Sequence, residues 1–91
     1  MQNKNFWENY GFVERGKLRK KVLFSIDQPK TPSSLSKELK IHLAEASRAL
    51  LELSKKGLVE CLTPNLLSGR VYGLTKKGKE VLDYIKKIKK N

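Results

Sequence analysis

The sequence predicts a mainly α-helical domain with one small β-hairpin: a three-helix core, a two-stranded hairpin and a C-terminal helix within residues 1–91. Three observations predict it. Apolar residues recur at helical spacing in three segments before Gly57, and the pattern shortens to β-type runs after it. Threonine, proline and glycine then punctuate the joints between segments. A chain of 91 residues has room for one such domain around a single modest core.

The elements follow in chain order. Residues 1–12 form an N-terminal arm, either a short helix or an ordered extension, with Phe6, Trp7, Tyr10 and Phe12 in a polar background. Two readings of it stand open, a lid that completes the core and a contact with a second copy. From Arg15 to Asp27, Leu18, Val22 and Ile26 recur every fourth residue with Leu23 beside them, which is one face of a helix. Arg15, Lys17, Arg19, Lys20 and Lys21 crowd the rest of it, and Gln28-Pro29-Lys30 breaks it.

Thr31 is placed to cap the next helix, with Pro32 at its first position, where the missing N–H costs nothing. Leu35 and Leu39 give that helix its apolar side, and it ends near Lys40. After a tight turn, a third core helix runs from Leu43 to Lys56 with Leu43, Ala46, Leu50 and Leu53 on one face. Gly57 stops it. Leu58–Leu62 and Arg70–Leu74 then read as two short strands around the turn-rich loop from Thr63 to Gly69. Thr75 caps a final helix over residues 75–90, with Val81, Leu82, Ile85 and Ile88 on its apolar side.

A hydrophobic fraction of 38% with 32% charged residues fits a folded chain rather than a disordered one. The net charge of +11 points to a polyanion, either nucleic acid or an anionic membrane surface. No apolar run is long enough to span a membrane, and the start Met1-Gln2-Asn3-Lys4-Asn5 lacks the apolar stretch of a signal peptide. The expected location is therefore the cytoplasm. Cys61 is the only cysteine and His42 the only histidine, so a zinc site of about four such ligands and an intramolecular disulfide are both excluded. Cys61 is expected as a small buried hydrophobe on a strand. No nucleophile–base pair, metal cluster or phosphate-cradling glycine loop appears, so neither an enzyme nor a bound cofactor is expected.

The stretch from Leu35 to Val59, LSKELKIHLAEASRALLELSKKGLV, resembles without a gap the helix-turn-helix of MarR/ArsR-type winged-helix regulators. RVYGLTKKGKEVL, from Arg70 to Leu82, resembles their second wing strand and following helix. Together with KTPS at Lys30–Ser33 and the basic helix before it, the combination is most similar to small archaeal winged-helix transcriptional regulators, over residues 13–85. The resemblance implies a winged helix-turn-helix fold and a double-stranded DNA partner. The helix at residues 43–56 would enter the major groove, and the one before it would cross the backbone. The hairpin would serve as a wing on an adjacent minor groove or on phosphates, and two copies would pair as a homodimer on inverted repeats.

Ser47 and Arg48 match family positions that face DNA, and the apolar periodicity independently turns them away from the core. Arg48 suits a guanine edge or a phosphate; its alternative is an ion pair with Glu45 or Glu52 along the helix. Glu45 stands three residues after His42, where it can close a capping box or accept from cytosine, and the cap is the preferred role. The family more often carries Ser, Thr or His around positions 42, 44 and 45, where this chain has His42, Ala44 and Glu45, so the base-reading code is left open.

That helix is nearly neutral, with Arg48, Lys55 and Lys56 against Glu45 and Glu52 giving +1. The final helix carries +5, from Lys76, Lys77, Lys79, Lys86, Lys87, Lys89 and Lys90 against Glu80 and Asp83. Backbone attraction is thus assigned to flanking elements, although the last four lysines also fit a merely solvated surface. Lys76 and Lys77 are the informative pair. A helix's first turn disfavours each cation by about 0.3–1 kcal/mol, so a phosphate contact is expected of one of them.

In the wing, Ser68 and Gly69 allow a tight turn before Arg70, which suits a narrow minor groove or else sits in solvent at a strand end. Ser33 and Ser34 lie at a helix N-terminus suited to phosphate, while capping fully explains Thr31. Ala44, Lys55 and Ser68 complete the contact set. Leu66 and Leu67 either fold back on the core or bind a partner; Leu51 is a candidate for a dimer surface with the aromatic arm and the face of the last helix, or, with Leu66 and Leu67, for a contact to another protein. Two other functions compete: a winged-helix protein–protein or non-specific nucleic-acid module of transcription or replication machinery, and a structured-RNA binder. The lack of aromatic stacking motifs counts against single-strand recognition.

Overall fold

The computed structural model describes residues 4–89. In order these form α1 (Lys4–Glu14), α2 (Lys17–Ser25), α3 (Pro32–Leu39), α4 (Leu43–Lys55), β1 (Val59–Cys61), β2 (Tyr72–Leu74) and α5 (Lys76–Lys89). Of the two forms expected of the aromatic arm, the helix is the one found, and it runs on to Glu14. Met1–Asn3 of the expected arm and Lys90 of the expected final helix lie outside the described residues.

Each helix end has a local chemical cause. Thr31 Oγ1 accepts from the Ser34 N–H at 3.1 Å, and Pro32 opens α3. Lys40 ends it in the left-handed region, at φ 57°, a conformation that costs any residue with a Cβ. At the end of α4 the Gly57 N–H reaches Ser54 O at 2.9 Å and the Leu58 N–H reaches Leu53 O at 2.9 Å. With Gly57 at φ 74° this is a Schellman closure, which satisfies carbonyls the helix would otherwise orphan. Thr75 caps α5, accepting from the Gly78 N–H at 3.0 Å while donating its own hydroxyl to Gly57 O at 2.6 Å.

Those last two caps form one joint. The Thr75 N–H also donates to Leu58 O at 3.1 Å. Gly78 packs so closely there that a β-carbon would overlap the Leu58 carbonyl oxygen. The end of α4 and the start of α5 are thereby locked together through backbone.

The core joins Val22 and Leu23 of α2, Leu35 of α3, and Ala46, Ala49, Leu50 and Leu53 of α4. Ile26, Leu58 and Val59, with Val81, Leu82 and Ile85 of α5, complete it, and Phe6 and Val13 of α1 seal one side. α1 is thus a lid, held further by edge-to-face contacts of Tyr84 with Phe6, Trp7 and Tyr10 at 5.2–5.5 Å between ring centroids. Three apolar expectations are corrected. Leu43 is 51% exposed because it begins α4 at the edge of its apolar stripe, where Ala49 lies well inside. Ile88 is exposed because α5 outruns the core, and Cys61, at the end of β1, is only partly covered.

The two strands pair antiparallel with Val59 opposite Leu74 and Cys61 opposite Tyr72. They are shorter than expected, although one more rung follows, Leu62 N–H to Val71 O at 2.7 Å. On its other edge Tyr72 exchanges two hydrogen bonds with Lys30, at 2.8 and 3.0 Å. This one-residue third strand anchors the loop before α3 to the hairpin. The Lys30 ammonium, 2.8 Å from Glu38 and 3.5 Å from Asp27, is held above its ordinary pKa chiefly by the Glu38 hydrogen bond, against some desolvation.

Candidate nucleic-acid interface

A helix advances about 100° per residue, so the burial of Ala46, Ala49, Leu50 and Leu53 fixes which side of α4 faces out. Ala44, Ser47, Arg48, Leu51 and Lys55 share that outer side, and all five are exposed. Ser47 and Arg48 are one turn before Leu51, and Lys55 one turn after it. Leu51, 54% exposed, therefore belongs to this face.

The acidic residues of α4 are drawn off that face. Glu45 Oε1 accepts from the His42 N–H at 2.9 Å, closing the cap at the helix start. Glu52 faces α2 and meets Arg19 Nη1 at 3.4 Å. Arg48 accordingly pairs with neither and has no hydrogen bond or ion pair among the described residues. The outer side of α4 carries two cations, one hydroxyl and two apolar groups, without an anion.

Arg19 itself is structural rather than part of a basic surface. Its guanidinium donates twice to Phe12 O, at 2.6 and 3.1 Å, and lies 3.8 Å over the Phe12 ring. Lys20 likewise pairs with Glu14 at 2.8 Å. Composition could not separate these internal cations from free ones.

The crystal structure of a MarR family transcription regulator superposes with a TM-score of 0.74 over 90% of this chain, at 22% identity. The fold is a winged helix. The chain spans 56% of that regulator's length. No family model and no curated protein matches the sequence.

In the winged helix, α3 and α4 are the helix-turn-helix, and β1, β2 and the loop between them are the wing. Ser33 and Ser34 are exposed at the start of α3, but the Ser34 N–H already serves the Thr31 cap. The Ser33 N–H and both serine hydroxyls remain as donors there. Ser68 is exposed at the wing tip. Arg70, expected to start a strand, lies before β2, and its Nε donates to Leu66 O at 2.7 Å. Leu67 does not fold back on the core; it is 97% exposed, with Leu66 at 46%.

Lys76 and Lys77 are both exposed but differ in setting. Lys77 lines a small cavity with Asn5, Phe6 and Asn9 of α1, whereas Lys76 stands on the side of α5 opposite Val81, Leu82 and Ile85. Farther along α5, Lys79 pairs with Asp83 at 3.3 Å. No helix among the described residues is long and apolar enough to cross a membrane.

Proposed function

We propose that this chain is a DNA-binding transcriptional regulator that lays the outer side of α4 in the major groove. The observation that carries this reading is the unpaired Arg48 on a face cleared of carboxylates by the Glu45 cap and the Glu52–Arg19 pair. Arg48 is suited to a guanine edge, Ser47 to phosphate or base, and Ala44 and Leu51 to thymine methyl groups. Lys55, Lys76 and the wing arginine Arg70 supply backbone attraction around it, with Ser33, Ser34, Ser68 and Lys77 as outer contacts.

The chain acts as a homodimer in this reading. Exposed Trp7 packs on Tyr84, and exposed Ile88 stands one turn further along α5, which makes an apolar stripe on the α1–α5 side of the molecule. Two copies joined there would need to present their α4 helices about 34 Å apart, one turn of DNA. Selection of bound duplexes from a random library at near-physiological salt tests both claims. Enrichment of an inverted repeat supports the dimeric, sequence-specific reading. Recovery of unenriched sequence, with binding that vanishes at moderate salt, would instead identify a non-specific module.

A further inference from the structure

We propose that the wing tip is an apolar wedge: Leu67, backed by Leu66, enters the minor groove beside Arg70 and unstacks a base step of duplex DNA. The inference rests on the DNA-binding reading above but names a distinct act, the kinking of the bound duplex.

The wing loop is built to hold Leu67 outward. Thr63 Oγ1 accepts from the Val71 N–H at 2.9 Å, and the Leu66 N–H donates to Thr63 O at 3.1 Å, so the loop is tied across its base. Gly69, at φ 66°, turns the chain back in a conformation that a side chain would resist. Arg70 Nε then reaches Leu66 O at 2.7 Å and clips the tip from within. A loosely held leucine could shelter against the core. This one is 97% exposed on a loop closed by these bonds.

A single exposed leucine is ordinary on a protein surface. Two neighbouring ones at the end of a projecting hairpin need an occupant. The tip is too small for a stable protein interface, which buries roughly 800 Å² per partner. A base step, by contrast, is opened by one or two apolar side chains, and such insertion kinks duplexes by about 20–90°. The surrounding charge fits DNA as well. From Cys61 to Thr75 the sole charged residue is Arg70, so no carboxylate opposes the phosphates, and an arginine stands where the narrow groove attracts one.

The test uses the full chain and a 30-base-pair duplex recovered from the library selection, carrying 2-aminopurine at successive steps and a donor–acceptor dye pair at its ends. Wild-type protein is expected to raise 2-aminopurine fluorescence at a discrete step on the wing side and to shorten the end-to-end distance. Leu67→Ala should return both signals to those of the free duplex and weaken affinity on the order of tenfold. Leu67→Phe should retain the unstacking. Leu67→Lys should lose it while keeping salt-dependent binding, an outcome that mere electrostatic attraction would not produce.

Equal unstacking by wild type and Leu67→Ala overturns the wedge and leaves the DNA-binding reading intact. So does a Leu67→Ala variant that bends DNA normally but loses self-association in sedimentation, which would make the tip a contact between copies. A wild-type protein that binds no duplex removes both readings together.

Discussion

Helices α4 and α5 are nearly equal in length and meet at a shared joint, yet they spend charge in opposite ways. α4 has few ionic groups and engages both its carboxylates, one in its own cap and one with Arg19, so that Arg48 stands unpaired. α5 is crowded with lysines but places two of them in its first turn, where the helix dipole opposes them. In the proposed function this difference assigns base reading and backbone attraction to separate elements. A sparsely charged helix can discriminate bases because little on it binds every phosphate alike, while a lysine-rich neighbour raises affinity without regard to sequence.

The joint is where that division is easiest to break. Gly78→Ala inserts a methyl group against the Leu58 carbonyl and should destabilise the fold by about 1–3 kcal/mol in chemical denaturation. Unchanged stability would mean that α5 is not clasped to the end of α4. Next comes Arg48→Ala, expected to lower affinity for a selected duplex by about 1–3 kcal/mol and to relax preference at one base position. A uniform loss across all sequences would move Arg48 from the reading role to the phosphate role.

The lysines sharpen the other half of the comparison. The Lys76→Glu/Lys77→Glu double variant should flatten the slope of log affinity against log salt, by about 0.9 for each phosphate contact removed. Lys76→Glu is expected to account for most of it, because Lys77 lies beside α1. Binding unaffected at low salt would show that α5 contributes no backbone attraction. The smallest effect belongs to the turn of the helix-turn-helix. Lys40→Gly relieves the left-handed conformation at φ 57° and should stabilise the protein by a few tenths to about 1 kcal/mol in thermal unfolding.

Much of this architecture was legible in the residues, and the successes share a cause. Thr31-Pro32, Gly57 and Thr75 mark helix ends through interactions within a few residues of themselves, and the structure uses all three that way. The helical stripe of α4 was legible for the same reason, save at its first residue. The failures needed tertiary knowledge. The Lys30–Tyr72 bridge is one residue long and leaves no alternating pattern to read. The employment of Arg19 by Phe12 and Glu52 depends on three helices meeting. That Leu51 falls outside an apolar stripe says that it is exposed, and only its angular position among its neighbours says toward what. Counting turns from the buried alanines would have found it.

The lock between Gly57, Thr75 and Gly78 has a consequence for regulation. It leaves no slack through which α4 could swivel while α5 stays still, so helix, wing root and following helix must turn as a single casting. If the proposed homodimer is switched off by a metabolite or partner, that signal would have to shift whole protomers against one another, and the spacing between half-sites on the duplex would then be the quantity it alters.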